Sequence, residues 1–461
     1  MKRLITFTII LALLISGCDL FNTDSTPQST PTATASPAPE PTPSTSGTNP
    51  SPNNANLFVS LAGKTQTQVD GKLNTVINNF FAIGTGETST PAASSGYRCY
   101  YELPQDGSMA FIWAADSNDI RSEGMSYGMM IAVQMNLQTQ FDKLWKFAKT
   151  YMQYPGDSSG SLSAWRYYFR WQLTDINVSN PSEWTWTRGS DTTPAPDGDE
   201  YFAMALYLAD RRWGSAGTYD YKTEADNITD AMLNNTASGS YKTIIDPSEK
   251  QVNFCPIGSA ATFTDPSYHL PAFYECFASW GPSANAAAWA NVAQTSRNYL
   301  VNAANATTGL HPDYAGFDGT PVKDTAGTTG TGLTGTAHDT FRYDAWRLPM
   351  NIAMDADWIG SDARMTSLAE KYHSFFSSYK GSNNVSSSLF ALDGSGASGG
   401  GSTALTATLA SAAMVSSHAD AAFWVNALWN VSQQSGTYRY YQECVYILGM
   451  LNVAGVYKTE W

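Results

Sequence analysis

Six stretches of the chain are rich in apolar and aromatic residues and carry few charges in their middle. They begin near residues 121, 199, 268, 343, 408 and 440, and the first four are about 65–80 residues apart. Amphipathic segments with charged faces begin at residues 141, 286 and 363. Helices that are apolar all round are buried, whereas amphipathic helices cover a core from outside. The pattern predicts an all-α fold in which six helical hairpins form a double ring, with a long helical bundle as the alternative.

The first 18 residues have a basic start, a short apolar core and the ending Ile15-Ser16-Gly17-Cys18. This ending resembles the lipobox of bacterial lipoproteins, so we expect lipidation of Cys18, the alternative being an ordinary secretory signal. Residues 19–56 consist mainly of Ser, Thr, Pro, Ala and Asn, which predicts a disordered tether. Residues 57–461 are predicted to form one domain. We therefore expect an exported bacterial lipoprotein of the cell envelope or surface, held at the membrane only by a lipid anchor.

Charge and composition argue against several classes of partner. The chain has 40 Asp and Glu against 26 Lys and Arg, which disfavours nucleic acid or an anionic surface. Its 14 Trp and 25 Tyr supply aromatic faces of the kind on which sugar rings stack. The sequence has no CxxC motif, no Cys/His cluster and no His pair with metal-ligand spacing, so no metal or cofactor is expected. We expect a monomer, and the sequence leaves disulfides and buried thiols open for Cys99, Cys255, Cys276 and Cys444.

Carboxylates recur at the starts of the first four apolar helices. In chain order they are Glu123; Asp197, Asp199 and Glu200; Asp265, close to Tyr268; and Asp339 and Asp344. If the inner helices are parallel, their N-termini share one rim and these groups converge there. Convergent carboxylates suit a reaction in which one acid is protonated and another is ionised.

Each of the main candidates also has a structural interpretation. A glutamate in the first turn of a helix, such as Glu123, offsets the helix dipole. Asp197 and Glu200 have the spacing of a capping box. Asp344 lies three residues before Arg347, and an ordinary ion pair would explain it.

Five blocks of the sequence together resemble glycoside hydrolase family 8. They are RSEGMSYGMMIAVQ, PAPDGDEYFAMALYLADRRWG, DPSYHLPAFYE, PDYAGFDGTPV and FRYDAWRLPMNIAMDADW, and they follow the family's order over nearly the whole globular part. They are most similar to the xylan-degrading members, the endo-xylanases and the reducing-end xylose-releasing exo-oligoxylanases. The resemblance implies an (α/α)6 barrel, an inverting mechanism and xylan or xylo-oligosaccharide as the substrate.

The resemblance also implies roles for individual residues. Glu123 matches the general acid, and Asp344 matches the general base that activates water. Asp197 matches the carboxylate that holds the sugar at the cleavage point, and Tyr268 matches the tyrosine that helps to position the water. Arg347 would support Asp344.

Three further residues, Arg121, Tyr127 and Trp165, are expected to bind the sugar. Trp165 matches a stacking tryptophan of the family, although GSLSAW departs from the more usual Gly-Tyr-Phe-Ala-Trp. The chain after Trp165 is also longer than usual and contains Trp184 and Trp186.

The surroundings of Glu123 suit a general acid, which must hold its proton near neutral pH. Gly124 and Gly128, one turn apart, leave a bare helix flank that another backbone or a ligand could approach. Burial, the nearby Asp197 and a bound sugar are expected to raise the pKa of Glu123 against the opposing effect of the helix N-terminus. Asp344 is expected to stay ionised beside its arginine.

The composition of one loop predicts whether the chain cleaves xylan internally or from an end. In the exo-acting members a Leu-His-Pro kink, some way after the general base, closes the cleft beyond the first leaving-group subsite. The matching region here, residues 388–410, has glycine and serine instead of a bulky wall, which predicts internal cleavage of xylan. The Leu-His-Pro at residues 310–312 precedes Asp344 and is not counted.

Alternative functions stay open at this point. The nearest is a reducing-end xylose-releasing exo-oligoxylanase, followed by a cellulase, a β-glucanase or a chitosanase of the same family. Chitosanase members tend to take their base from a different position, whereas Asp344 is present here. A non-catalytic glycan-binding lipoprotein is the alternative from another class, and the presence of both Glu123 and Asp344 argues against it.

Overall fold

The computed structural model of the protein describes residues 48–83, 96–189, 192–323 and 338–461. Thirteen α-helices and five short strands lie in these ranges. The helices are α1 (Leu57–Ser60), α2 (Gln66–Phe81), α3 (Ser122–Gln134), α4 (Gln138–Phe147), α5 (Pro196–Trp213), α6 (Tyr221–Asn234), α7 (Pro271–Trp280), α8 (Ala286–Ala303), α9 (Leu348–Trp358), α10 (Ala363–Phe376), α11 (Thr403–Ala412), α12 (Ala421–Asn430) and α13 (Arg439–Val453).

Six of the helices form a closed inner ring. Around the ring they are α3, α5, α7, α9, α11 and α13, and α13 packs back against α3. Each inner helix from α3 to α11 packs against the outer helix that follows it in the chain, and α2 packs against α13. These contacts confirm the double ring of six hairpins, an (α/α)6 barrel.

The distribution of apolar residues decides which ring a helix joins. In α3 every residue except Glu123 is buried, whereas α4 buries only four apolar residues on one face. A helix enclosed on all sides needs apolar or small residues all round, and the sequence of α3 supplies them. The inner helices α5, α7 and α9 each have a proline in the first turn, where no backbone N–H is needed for the helix.

The sequence predicts one helix over residues 408–425, and this prediction is wrong. The structure ends α11 at Ala412 and begins α12 at Ala421, so the stretch contains the end of an inner helix and the start of an outer one. The apolar pattern continues across the turn because α12 also buries Trp424 and Val425 against the inner ring.

The strands form two small antiparallel sheets. In the first, β1 (Tyr100–Glu102) pairs with β2 (Ala110–Ile112). In the second, β3 (Ile120–Arg121), β4 (Gln172–Asn177) and β5 (Thr185–Thr187) lie in that order. Because β3 runs directly into α3, its pairing with β4 fixes the point at which α3 begins.

Residues 48–56 lie against the barrel, although their composition predicts part of the tether. The backbone N–H of Thr48 donates to a carboxylate oxygen of Glu275 (2.8 Å), and that of Ser51 donates to the carbonyl of Trp358 (2.8 Å). Trp358 is the last residue of α9, so the segment joins the barrel at the C-terminal ends of the inner helices. Among the described residues, no helix is long and apolar enough to cross a bilayer.

A buried cation joins three helices of the barrel. Arg297 of α8 contacts Glu275 of α7 (2.8 Å) and Asp355 of α9 (2.8 Å), and all three side chains are at most 6% exposed. A buried carboxylate that loses its counter-ion is costly, since neither water nor another charge compensates it. The guanidinium of Arg297 is therefore needed if α7, α8 and α9 are to pack together while both acids are ionised.

Replacing Arg297 with Met should lower the free energy of unfolding by about 3–5 kcal/mol, because two buried carboxylates lose their partner. Urea unfolding followed by circular dichroism measures the change. The matched control is Arg364→Met on α10, whose ion pair with Asp362 leaves the arginine one-third exposed, and its loss should cost about 1 kcal/mol or less. Equal losses in the two variants would contradict this account.

Candidate active site

The N-terminal ends of the inner helices open into a cleft of about 530 Å³. Its lining residues include Arg121, Glu123, Trp171, Asp197, Tyr268, Tyr314 and Asp344. Glu123 and Asp197 lie in the first turns of α3 and α5. Tyr268 and Asp344 lie in short 3-10 helices, Pro266–Tyr268 and Tyr343–Arg347, which lead into α7 and α9. The predicted convergence of the helix starts is therefore found in the structure.

One buried arginine contacts four carboxylates at the base of the cleft. Nη1 of Arg347 lies 2.9 Å from Asp197 and 3.1 Å from Glu123. Nη2 lies 3.2 Å from Asp344 and 3.4 Å from Asp265. The sequence predicted the contact with Asp344, three residues away, but not the other three.

The charges of this cluster do not balance, since one guanidinium faces four carboxylates. Burial raises the pKa of Glu123, and the negative Asp344 raises it further. Burial, Glu123 and Asp344 raise the pKa of Asp197 to about 7, with Arg347 acting in the opposite direction. Burial and Asp344 also raise the pKa of Asp265. The cluster therefore holds protons at a pH where ordinary carboxyl groups have lost them.

Asp344 differs from the other three acids in its exposure. Its side chain is 29% exposed, whereas those of Glu123, Asp197 and Asp265 are exposed by 16%, 7% and 0%. The cluster thus combines buried acids whose pKa values are raised with one acid that is open to the cleft, where a water molecule can reach it.

The bare flank beside Glu123 is occupied by Tyr440, the second residue of α13. A Cβ at position 124 would overlap the tyrosine ring and lie 2.7 Å from its hydroxyl oxygen. That hydroxyl donates a hydrogen bond to Glu123 Oε1 (2.8 Å), and this bond lowers the pKa of Glu123 against the effect of burial. Because residue 124 is glycine, the side chain of Tyr440 has room to reach Glu123. Gly128, on the same flank of the helix, leaves room for the side chain of Ile112.

A second glycine brings Asp197 close to Glu123. A Cβ at Gly198 would lie 2.6 Å from the Cβ of Ser122, so the start of α5 can pack directly against the start of α3. Asp197 is the second residue of α5, and the helix has no side-chain cap. The capping-box interpretation of Asp197 and Glu200 is therefore wrong.

The other acids of the α5 start have structural partners. Asp199 accepts a hydrogen bond from the backbone N–H of Phe169 (3.0 Å), and Glu200 lies 2.5 Å from the hydroxyl of Tyr274. Both acids are fully buried and neither lines the cleft. These two acids therefore stabilise the start of α5 and do not form part of the cleft surface.

Tyr268 forms one wall of the cleft. Its ring lies parallel to that of Phe254 (6.1 Å between centroids), and the guanidinium of Arg347 lies 5.6 Å from its centroid. The turn that carries it is closed by Asp265, which accepts a hydrogen bond from Ser267 N–H (2.7 Å). Ser267 Oγ lies 2.7 Å from Arg347 Nη2, so this turn is tied to the charged cluster.

The predicted sugar-binding residues lie in three different environments. Arg121 lines the cleft and is held by Asp119 (3.0 Å). Tyr127 is buried below the cluster, where its hydroxyl lies 3.1 Å from Arg347 Nη1. Trp165 is 2% exposed and packs between Tyr154 and Tyr241, so it offers no face to a sugar.

Trp171 lines the cleft, and the sequence analysis did not identify it. The backbone carbonyl of Trp171 accepts a hydrogen bond from the N–H of Ser122 (2.8 Å), one residue before Glu123. The pairing of β3 with β4 brings it there, and short strands of this kind leave little pattern in a sequence. Trp184 and Trp186, in the inserted segment, pack against core aromatic residues.

The structure describes four cysteines, and one of them lies at the cleft. Cys99, Cys276 and Cys444 are buried, Cys255 is partly exposed at the cleft, and none forms a disulfide. Within the described ranges no three His, Cys or acidic side chains are grouped as metal ligands.

The family model, the related sequences and the solved structures all indicate the same family. The model of glycosyl hydrolases family 8 matches residues 96–455. The chain is 33% identical to the reducing-end xylose-releasing exo-oligoxylanase Rex8A of Paenibacillus barcinonensis, over 88% of this chain and 96% of that protein. It is 27% identical to endoglucanase 2 of Ruminiclostridium josui, over 80% and 69% of the two chains. The solved structure of a family 8 xylanase mutant from Teredinibacter turnerae with xylohexaose is 35% identical, with a TM-score of 0.76 over 88% of this chain and 97% of that one.

Replacing Tyr440 with Phe should raise the pKa of Glu123, because the carboxylate anion loses a hydrogen-bond donor. A hydrogen bond to a charged group contributes about 1.5 kcal/mol, which corresponds to roughly one pKa unit. If Glu123 must be protonated for turnover, the basic limb of the pH profile of kcat/KM moves to higher pH by about that amount.

The control is Tyr446→Phe, which removes a buried hydroxyl from the same helix nearly two turns further on. Its pH profile should match that of the unmodified protein. A basic limb that stays in place or moves to lower pH in Tyr440→Phe would disprove the contribution of this hydrogen bond.

Proposed function

The chain belongs to glycosyl hydrolase family 8 and is an inverting glycoside hydrolase, and we propose that it cleaves β-1,4-xylosidic bonds at internal positions of xylan. We assign Glu123 as the general acid and Asp344 as the general base. Asp197 holds the sugar at the cleavage point, Tyr268 positions the water, and Arg347 supports the base.

The observation that carries this assignment is the shared contact of Glu123 and Asp344 with the two terminal nitrogens of Arg347. The acids thus lie on either side of one guanidinium. An inverting pair needs room for a water and a sugar carbon between its carboxyl groups, which are about 6.5–9.5 Å apart in such enzymes. Two acids held apart by a fixed cation suit that requirement better than two acids in contact.

The different surroundings of Glu123 and Asp344 assign each acid its step in the proposed reaction. Glu123 gives its proton to the glycosidic oxygen as the bond to the anomeric carbon breaks, and its raised pKa favours the protonated form that this step needs. Asp344 takes a proton from the water that attacks the anomeric carbon from the opposite face. The bond to the leaving sugar and the new bond to water lie on opposite sides, so a β-linked substrate gives the α-anomer.

Xylan is favoured as the substrate by the relatives. The relative named as an exo-oligoxylanase is 33% identical over 88% of the chain, against 27% over 80% for the endoglucanase. The xylanase from Teredinibacter turnerae was solved with xylohexaose. A cellulase, β-glucanase or chitosanase is the alternative, and a non-catalytic glycan-binding protein is disfavoured because the acids and their arginine are all present.

Internal cleavage is favoured by the loop between α10 and α11. Residues 388–398 fold back on themselves through the backbone pairing of Leu389 with Ser398. No residue of the loop is among those that line the described cleft. The Leu-His-Pro at 310–312 is buried, with His311 hydrogen-bonded to Tyr372 (2.8 Å) and to the carbonyl of Leu300 (2.8 Å), so it cannot close the cleft.

On soluble xylan we expect the viscosity to fall early and mixed oligosaccharides to appear first, because an open cleft binds long chains across the site. Barley glucan and chitosan, assayed in parallel, should be cleaved at least about tenfold more slowly, a difference of roughly 1.4 kcal/mol in transition-state binding. Glu123→Gln and Asp344→Asn are the inactive controls. Xylose as the main early product at nearly constant viscosity would favour exo cleavage instead, and faster cleavage of another polymer would refute xylan as the substrate.

We also propose that the mature protein is anchored to a bacterial membrane through a lipid on Cys18, as an exported protein of the cell envelope or surface. The support is the lipobox-like sequence at residues 15–18. A xylan-degrading enzyme must meet a polymer outside the cell, which agrees with export.

In detergent phase partition of the full-length protein made in a bacterial host, the unmodified chain should enter the detergent phase. Cys18→Ala should leave it in the aqueous phase, because no acyl chain is attached. Recovery of both forms in the aqueous phase would disprove lipidation, and it would leave the enzymatic proposal untouched.

A further inference from the structure

The 3-10 helix Tyr343–Arg347, which carries the proposed base and its arginine, has no cap of its own. Its N-cap residue, Arg342, makes no capping hydrogen bond with its side chain. Tyr343 has a φ of +20°, a conformation that a bulky aromatic residue rarely adopts. A strained turn with an uncapped start persists only when its surroundings hold it in place.

Asp313, from a loop 31 residues earlier, supplies the missing cap. Its Oδ1 accepts a hydrogen bond from the backbone N–H of Asp344 (3.0 Å). The other oxygen, Oδ2, lies 2.6 Å from Nδ1 of His338. When Asp313 is ionised its carboxylate can only accept hydrogen bonds, and Nδ1 of His338 is then the donor.

His338 is itself held by several contacts. Its ring lies parallel to that of Tyr314, with 4.1 Å between the centroids and 8° between the planes. The backbone of the two segments is paired, since Tyr314 N–H donates to the carbonyl of His338 (2.9 Å). Both side chains of the Asp313–His338 pair are nearly inaccessible to water, at 1% and 6% exposure. The pair is therefore rigid and dry, as a positioning element requires.

We propose that His338 and Asp313 form a positioning pair for Asp344, in which His338 orients the Asp313 carboxylate that caps the turn bearing the base. The inference rests on the proposed role of Asp344. Neither residue touches the reacting atoms, and both act through the backbone of the turn. A base displaced by about 1 Å can cost roughly 100-fold in rate, so the effect on kcat should be large.

Two substitutions of His338 separate its hydrogen bond from its ring. His338→Phe keeps a ring to stack on Tyr314 but removes the donor to Asp313, and kcat on xylo-oligosaccharides should fall about 10- to 100-fold with KM within threefold of the unmodified value. His338→Asn loses the ring but places an amide N–H near the position of Nδ1, and kcat should stay within threefold. A larger loss of kcat in His338→Asn than in His338→Phe would overturn the proposal.

A further measurement distinguishes mispositioning of the base from general damage. Azide is an anionic nucleophile that needs no base to deprotonate it, so added azide should raise the turnover of His338→Phe and of Asp344→Ala and give the inverted glycosyl azide. Failure of azide to raise turnover in His338→Phe while it does so in Asp344→Ala would overturn the proposal. If His338→Phe does not fold, the proposal depends on His338→Asn alone, and a loss of more than tenfold in folded His338→Asn refutes it.

The same set of variants distinguishes a failure of this inference from a failure of the proposed function. If Asp344→Asn keeps a tenth or more of the activity, the role of Asp344 as base fails and the positioning pair fails with it. If Asp344→Asn is inactive while His338→Phe matches the unmodified protein, only the pair is refuted. Affinity for xylo-oligosaccharides, measured by calorimetry in the Glu123→Gln background, should be the same with His338 and with Phe at position 338.

Discussion

The active site depends on the sharing of one buried guanidinium by four carboxylates. Arg347 could not be enclosed at the base of a cleft without anionic partners, and the acids could not be enclosed without Arg347. The partners come from the starts of α3 and α5, from the turn before α7 and from the turn that precedes α9. The charged cluster therefore depends on the close approach of these four helix starts, and glycine at 124 and 198 allows the start of α3 to pack closely against its neighbours.

Opposing effects on Glu123 set its readiness to give up a proton. Burial and the negative Asp344 raise its pKa, while Arg347 and the hydroxyl of Tyr440 lower it. A carboxyl group subject to only the first pair would hold its proton too tightly to donate it, and one subject to only the second would lose it. Arg347 and Tyr440 both lie within hydrogen-bond distance of the Glu123 carboxylate, so a change in either residue can adjust the working pH.

The parts of the site that repeat along the chain could be predicted from the sequence. A helix start is visible as a local pattern, and the acids at successive helix starts gave a set of candidates that includes Glu123, Asp197 and Asp344. The family resemblance then singled out these three. The contact of Arg347 with Glu123 joins residues 224 positions apart, and no local pattern encodes it. The positions of Trp171 and Tyr440 were missed for the same reason.

Residues 48–56 join the barrel at the end opposite the cleft. They contact it at the last residue of α9, whereas the catalytic cluster lies at the first turns of the same ring of helices. In a form anchored through Cys18, the chain would therefore join the barrel at the end opposite the cleft, and its attachment would leave the mouth of the cleft uncovered. A polymeric substrate could then reach the acids without displacing the residues through which the barrel is attached.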